Sequence, residues 1–418
     1  MHSYLVTAKN ITGQHITLTL PGSKSIANRA LILASLTKGE FDLKGDFGAE
    51  DIGIMIGALR KLGILLEQTD EGLHIGNNLA WRELDKDIGF FLGNSGTTTR
   101  FLTGLLPLRK GASLLLGIER LHERPIEDLV EALQSMGAEI NYRDQQGYPP
   151  LEIHGTGSLR GGECRIQGST SSQFLSSLIL SGSSYDQGLE ITIDGELISK
   201  PYVDLTIQML KDWGGEASWR DHQIIVKPRP LRATDYTVEG DASAATYWWG
   251  LEFLHDCQIR FTNLSGSSIQ GDIKFKQVLK YLKRGAACGP DGNEIDMLQM
   301  PDAALMLMAL SPLLHHPIQI TGLGSLRVKE TDRLEAMATE LGKLGVQVST
   351  GSDWMKIHPL ELRTFDSSKT IPIETYNDHR IAMSFAILST QLGNLEILDP
   401  DCVRKSYPSF WQDLERLR

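Results

Sequence analysis

The sequence predicts an α/β protein of two similar domains, each of three strand-helix-strand-helix-hairpin (βαβαββ) units, joined by a double hinge. Three observations carry this. At four places an amphipathic helix ends at Gly and leads into a two-stranded hairpin; six other helices open alike, on small or polar residues with one functional side chain; and the last unit stops short of its hairpin, whereas the first twenty residues hold strands and no helix.

In chain order, residues 4–8 and 15–20 alternate apolar and polar and are read as a hairpin. Pro21 and Gly22 end it, Ser23 is a good N-cap, and Ile26, Ala30, Leu31 and Leu33 give the next helix an apolar face. Lys24, Ser25 and Arg29 then add donors to a helix start that already favours an anion. The hairpins run from Leu62-Gly63 to Ile75, Met136-Gly137 to Ile153, Trp213-Gly214 to Val226 and Leu344-Gly345 to Ile357, with a weaker copy around Gly285. Each Gly is an expected left-handed C-cap. The six helix openings carry Lys24, Arg100, Gln173, Asp241, Asp302 and Arg380, spaced by about seventy residues. If the first residues complete the truncated last unit, the chain crosses twice between domains, at 20–21 and between 230 and 240. The expected domains are 1–20 with 239–418, and 21–238, with six helix starts aimed into the cleft between them.

Composition narrows the partners. The net charge of −11 argues against nucleic acid or an acidic membrane, no apolar run is long enough to span a bilayer, and the N-terminus has no signal-peptide pattern. A cytoplasmic monomer acting on small anions is expected. The four cysteines, Cys164, Cys257, Cys288 and Cys402, lack paired spacing, so neither a disulfide framework nor a metal site is expected.

Cationic residues gather at the openings and in second helices: Lys24, Arg29, Arg100, Arg120, Arg124, Lys329, Arg333, Arg380 and Lys405. Arginine's planar fork suits carboxylate and phosphate, and Asn94, Thr97, Ser171, Ser172, Gln173, Ser199 and Tyr202 offer neutral donors. Two carboxylates stand among them, Asp302 and Glu330, as candidates for general base and acid. The loop at Gly93–Thr99 lacks the Gly-Lys-Ser/Thr ending of a nucleotide P-loop, so ATP is not expected.

Eight stretches in register resemble the 5-enolpyruvylshikimate-3-phosphate synthase family: Leu20-Pro-Gly-Ser-Lys-Ser-x-x-Asn-Arg29, Gly93-Asn-Ser-Gly-Thr97, Glu123-Arg-Pro-Ile126, Ser171-Ser-Gln-Phe174, Ile198-Ser-Lys-Pro-Tyr202, Pro301-Asp-Ala303, Arg327-Val-Lys-Glu-Thr-Asp-Arg333 and Tyr376-Asn-Asp-His-Arg380. The resemblance implies the enolpyruvyl transferase fold, an inside-out α/β barrel, and transfer of the enolpyruvyl group of phosphoenolpyruvate to the 5-hydroxyl of shikimate 3-phosphate without a cofactor. It assigns shikimate 3-phosphate to Lys24, Ser25, Arg29, Ser171, Ser172, Gln173, Ser199, Tyr202, Asp302, Ser325 and Lys329. Phosphoenolpyruvate falls to Lys24, Asn94, Gly96, Arg120, Gln173, Arg333, Arg380 and Lys405. Asp302 is then the base and Glu330 the acid, with Lys24 near the reacting atoms. Glyphosate is expected to compete with phosphoenolpyruvate in space left beside Gly96.

Three departures stand out. Ser325 replaces a usual Asn, Phe101 follows Arg100 and is expected to shift the helix carrying Gly96, and Arg404 adds a cation beside Lys405. The alternatives are the enolpyruvyl transferase acting on UDP-N-acetylglucosamine, against which stands the absence of Cys from residues 117–124, and a non-catalytic hinged anion-binding protein.

Overall fold

The structure, a computed structural model, describes residues 2–283, 294–363 and 365–417, so the weaker hairpin copy around Gly285 and Cys288 lie outside the described residues. The chain divides into two compact units, Gly22–Glu239 and Met1–Pro21 with Gly240–Arg418, called below the 22–239 and 240–418 units.

One pattern recurs. A strand leads through a buried helix to a parallel partner, and a second helix then leads to an antiparallel hairpin whose last strand pairs with that partner. In the 22–239 unit, Ile88–Phe91, helix Gly96–Leu105 and Lys110–Leu116 are followed by helix Glu127–Ser135 and strands Glu139–Tyr142 and Leu151–Thr156. Gly162–Gln167, Leu189–Asp194, Gln223–Lys227 and Glu216–Arg220 repeat the order around helix Ser172–Gly182. In the 240–418 unit Glu294–Asp296, Ile318–Thr321, Met355–Ile357 and Val348–Thr350 do so around Ala304–Leu310. Among the described residues the sheets stay separate and none closes into a hydrogen-bonded barrel.

The local signals explain these elements. Gly63, Gly137, Gly214 and Gly345 all have positive φ, between 77° and 100°, where a Cβ would be strained. Ser171, Asp241 and Asp378 cap their helices by accepting from backbone N–H groups two residues on, and Ser23 accepts weakly from Ile26 N at 3.5 Å. The opening helices are buried on all sides: every residue from Ile26 to Leu36 is buried, as is all of Ala304–Leu310. The second helices are one-sided, Glu127–Ser135 burying Leu129, Val130, Ala132 and Leu133. In each unit the three opening helices pack on one another within that unit's own apolar core.

The N-terminal hairpin does not form. Ser3–Val6 pairs antiparallel with Leu395–Leu398 and completes the last sheet, whereas His15–Leu18 pairs parallel with Gln258–Phe261. Tyr236–Thr237 in turn pairs with Gly39–Lys44. Each crossing of the chain thus leaves a strand in one unit and begins a helix in the other. Period-2 alternation identifies a strand but says nothing of its partner.

Cys164, Cys257 and Cys402 are buried and unbridged. Burial pushes the Cys164 and Cys402 thiols up to about 12, which keeps them protonated and inert.

Candidate active site

Because each opening helix follows the carboxyl end of a parallel strand, its first N–H groups and the side chains beside them collect at one end of the sheet. In the 22–239 unit Lys24 begins the first helix, and its Nζ donates to Asp51 Oδ2 at 3.0 Å, both side chains being largely buried. Asp51 lies in the first turn of Glu50–Lys61, where the helix dipole favours its charge.

A second cluster joins the next two openings. Arg100 Nη1 donates to Gln173 Oε1 at 2.8 Å, and Gln173 Nε2 to Thr97 Oγ1 at 3.1 Å. Arg124 Nη1 donates to Asn94 O at 3.1 Å and to Asn94 Oδ1 at 3.3 Å. A Cβ on Gly96 would stand 2.5 Å from Arg124 Cζ and 2.7 Å from Arg100 Nη1. The expected space beside Gly96 is therefore occupied by two guanidinium groups, which close on the bare backbone. Arg120 is not among them; it sits on the short helix Glu119–His122 and pairs with Glu123 Oε2 at 2.7 Å. The structure brings Arg124, rather than the expected Arg120, to the Asn94 turn.

Arg29 also departs from expectation, for it points inward and is 2% exposed. Its Nε donates to Thr206 Oγ1 at 2.8 Å, Nη1 to Ser25 O at 2.9 Å, and Nη2 to Ser176 Oγ at 2.9 Å and Tyr202 O at 3.3 Å. The rings of Phe101 and Tyr202 lie 5.4 and 5.9 Å from its guanidinium carbon. Burial pushes its pKa down to about 10, which still leaves a cation at neutral pH. Arg29 thus ties Ser25 to the helices bearing Ser172 and Tyr202. Phe101 is fully buried and the helix still begins at Gly96, so its ring packs under Arg29 without removing the first turn. Ser171 caps its helix, and Ser199, with φ of +53°, ends the turn before helix Lys200–Asp212.

The 240–418 unit answers its cations with carboxylates. Arg333 Nη1 meets Asp302 Oδ1 at 3.0 Å, Nη2 meets Glu330 Oε2 at 2.9 Å, and Nε meets Asp378 Oδ2 at 2.7 Å. Burial opposes the Arg333 charge, but Asp378, Glu330 and Asp302 together hold its pKa above the usual arginine range. Arg380 Nη2 holds the other Asp302 oxygen at 3.1 Å, and Lys405 Nζ lies 3.5 Å from Glu330 Oε1. Asp302 therefore sits between two arginines, and Glu330 between an arginine and a lysine. Ser325 and Lys329 are partly exposed on the turn leading to Glu330, and Arg404 is exposed beside Lys405. Behind the cluster the buried Asp272 accepts from Ser243 Oγ; burial, then the Asp302 charge, pushes its carboxyl up to about 6.

Sequence reasoning left Asp51, Asp272 and Asp378 unassigned. Asp378 had a signal, as the N-cap inside the Tyr376–Arg380 motif. Asp51 and Asp272 had none, because their partners are distant in the chain.

Residues 8–414 match the family model described as EPSP synthase (3-phosphoshikimate 1-carboxyvinyltransferase). The 3-phosphoshikimate 1-carboxyvinyltransferase of Mannheimia haemolytica is 39% identical over 423 residues, covering 96% of each chain. That of Haemophilus influenzae is 38% identical over 435 residues, covering 99% of this chain and 98% of its own. A solved EPSP synthase from Acinetobacter baumannii superposes with a TM-score of 0.77 at 22% identity, covering 100% of this chain and 98% of that one, which speaks to the fold.

Proposed function

The chain belongs to the EPSP synthase family and so transfers the enolpyruvyl group of phosphoenolpyruvate to shikimate 3-phosphate in the shikimate pathway, and we propose how its residues divide that reaction. Ser25, Ser171, Ser172, Gln173, Ser199 and Tyr202, with Lys329 and Ser325, hold shikimate 3-phosphate, and Arg29 supplies positive charge from beneath them. Phosphoenolpyruvate is held by Lys24, Asn94, Gly96, Gln173, Arg333, Arg380 and Lys405, with Arg124 in the place first given to Arg120.

Attack at C2 of phosphoenolpyruvate requires a proton delivered to C3 and a proton removed from the attacking 5-hydroxyl. The carrying observation is the pair of carboxylates within one cationic cluster, Asp302 between Arg333 and Arg380, and Glu330 between Arg333 and Lys405. When the ligand's own anionic groups draw Arg333 and Arg380, their hold on Asp302 loosens, which a base needs before it accepts a proton. Glu330 delivers the proton to C3. The tetrahedral intermediate then loses phosphate by C–O cleavage while a proton leaves its C3 methyl, which restores the carbon–carbon double bond, so the cations act by orientation and charge stabilisation rather than by activating phosphorus.

The test is phosphate release from phosphoenolpyruvate with shikimate 3-phosphate present and absent; release must depend on the second substrate. Arg124→Ala should raise KM for phosphoenolpyruvate about tenfold or more, as loss of a charge-assisted contact does, and Arg120→Ala should leave it within about twofold. The opposite ranking would return Arg120 to the site. A cytoplasmic monomer completes this reading, to be checked by cell fractionation and analytical ultracentrifugation.

A further inference from the structure

The turn that delivers Asp378 and Arg380 is built against local preference. The Asp378 N–H bonds to Thr375 O at 2.8 Å, and the two residues between, Tyr376 and Asn377, have φ of +54° and +53°. Positive φ at both central positions suits Gly or Asn, and a bulky aromatic residue there is strained. The Tyr376 hydroxyl explains the choice, since it donates to Glu340 Oε1 at 2.7 Å. Glu340 is completely buried; its Oε2 also accepts from the Glu374 N–H at 3.1 Å and meets Lys343 Nζ at 2.7 Å. Lys343 Nζ in turn donates to Pro372 O at 3.2 Å on the preceding strand. Glu340 lies seven residues after Arg333 on helix Arg333–Lys343, hence on the same face. One helix therefore grips both ends of the turn, through Glu340 at residues 374–376 and through Arg333 at Asp378.

We propose that Glu340 is a positioning residue for the transfer reaction: it clamps the strained Tyr376–Asn377 turn and so fixes where Asp378 holds Arg333 and where Arg380 meets the anion. This rests on the reading that Arg333 and Arg380 hold phosphoenolpyruvate. A surrounding structure that over-determines a strained turn keeps it in place; once the clamp is removed, the turn relaxes and the arginines move.

Steady-state kinetics of the full chain test it. Glu340→Gln should raise KM for phosphoenolpyruvate about tenfold, the scale of a small misplacement, with kcat and KM for shikimate 3-phosphate within about threefold of the parent. Tyr376→Ala loses the anchor and keeps the strain, whereas Tyr376→Gly loses both, so the Gly variant should bind phosphoenolpyruvate better than the Ala variant. An equal rise for Ala and Gly, or a fall in kcat with unchanged KM in Glu340→Gln, overturns the proposal. Should Glu340→Gln fail to fold, Tyr376→Phe must show the same selective rise on a smaller scale, and its absence is equally fatal. Arg380→Lys separates the two readings: an unchanged KM for phosphoenolpyruvate there removes the ligand from this cluster, whereas a raised one beside a parental Glu340→Gln removes only the clamp.

Discussion

The two units meet their cations differently. In the 22–239 unit Arg29, Arg100 and Arg124 donate to hydroxyls, amide oxygens and backbone carbonyls, while Lys24 pairs with Asp51 and Arg120 with Glu123. In the 240–418 unit Arg333, Arg380 and Lys405 are held by Asp302, Glu330 and Asp378. Neutral acceptors orient a guanidinium and leave its charge for a ligand. Carboxylates neutralise it, and they can also carry a proton. The first arrangement suits holding a phosphate ester, the second suits moving protons next to an anion.

The largest effect that tests this contrast is loss of Arg333. Arg333→Met strips the cation from the buried Asp378 and Glu330 and from the partly exposed Asp302, and breaking such a network costs about 3–5 kcal/mol. Thermal unfolding should show it, together with loss of turnover. A variant as stable as the parent would mean that the carboxylates have other cations enough.

Next comes Asp272, buried in the carboxylate-rich unit. Its carboxyl is raised from 3.8 to about 6, by burial first and by Asp302 second, so the folded state holds the proton more tightly than the unfolded chain. Its contribution to stability therefore falls as pH rises from about 4 to about 6 and stays low above that, by roughly 3 kcal/mol at most. Asp272→Asn should be more stable than the parent at pH about 7.5, and the gain should vanish near pH about 4. A gain that does not change with pH would contradict the assignment.

The smallest effect belongs to the neutral half. Phe101→Leu keeps an apolar side chain and removes the ring from Arg29, a contact worth about 0.5–2 kcal/mol. KM for shikimate 3-phosphate should rise about two- to thirtyfold, with that for phosphoenolpyruvate unchanged. A rise in the latter alone would detach Phe101 from Arg29.

What the sequence made legible was local. The helix start at Ser23, the left-handed glycines after four second helices, and the presence of Asp302 and Glu330 among the cations can be read from the residues themselves. Direction was harder to read. Arg29 reads from the sequence as a direct donor to an anion at the helix start, but the helix is buried from Ile26 to Leu36, so its guanidinium donates to neighbouring helices instead. Arg120 and Arg124 are four residues apart, and only the close approach allowed by Gly96 selects the second. Strand partners failed likewise, since alternation in residues 15–20 is the same whether the neighbour is residue 4 or residue 259.

The central claim is that the hydroxyl donors of the 22–239 unit supply most of the hold on shikimate 3-phosphate and the carboxylates of the 240–418 unit do the proton chemistry, and a crossed pair of variants tests it most directly. Equilibrium binding of shikimate 3-phosphate and turnover at saturation should be measured for Asp302→Asn and Ser172→Ala side by side. Asp302→Asn is expected to lose about 10²- to 10⁴-fold in kcat with its Kd within about threefold. Ser172→Ala is expected to weaken binding while keeping most of kcat at saturation. If Asp302→Asn turns over within about twofold of the parent, or if both variants lose binding and turnover in parallel, the division of labour between the two units is wrong.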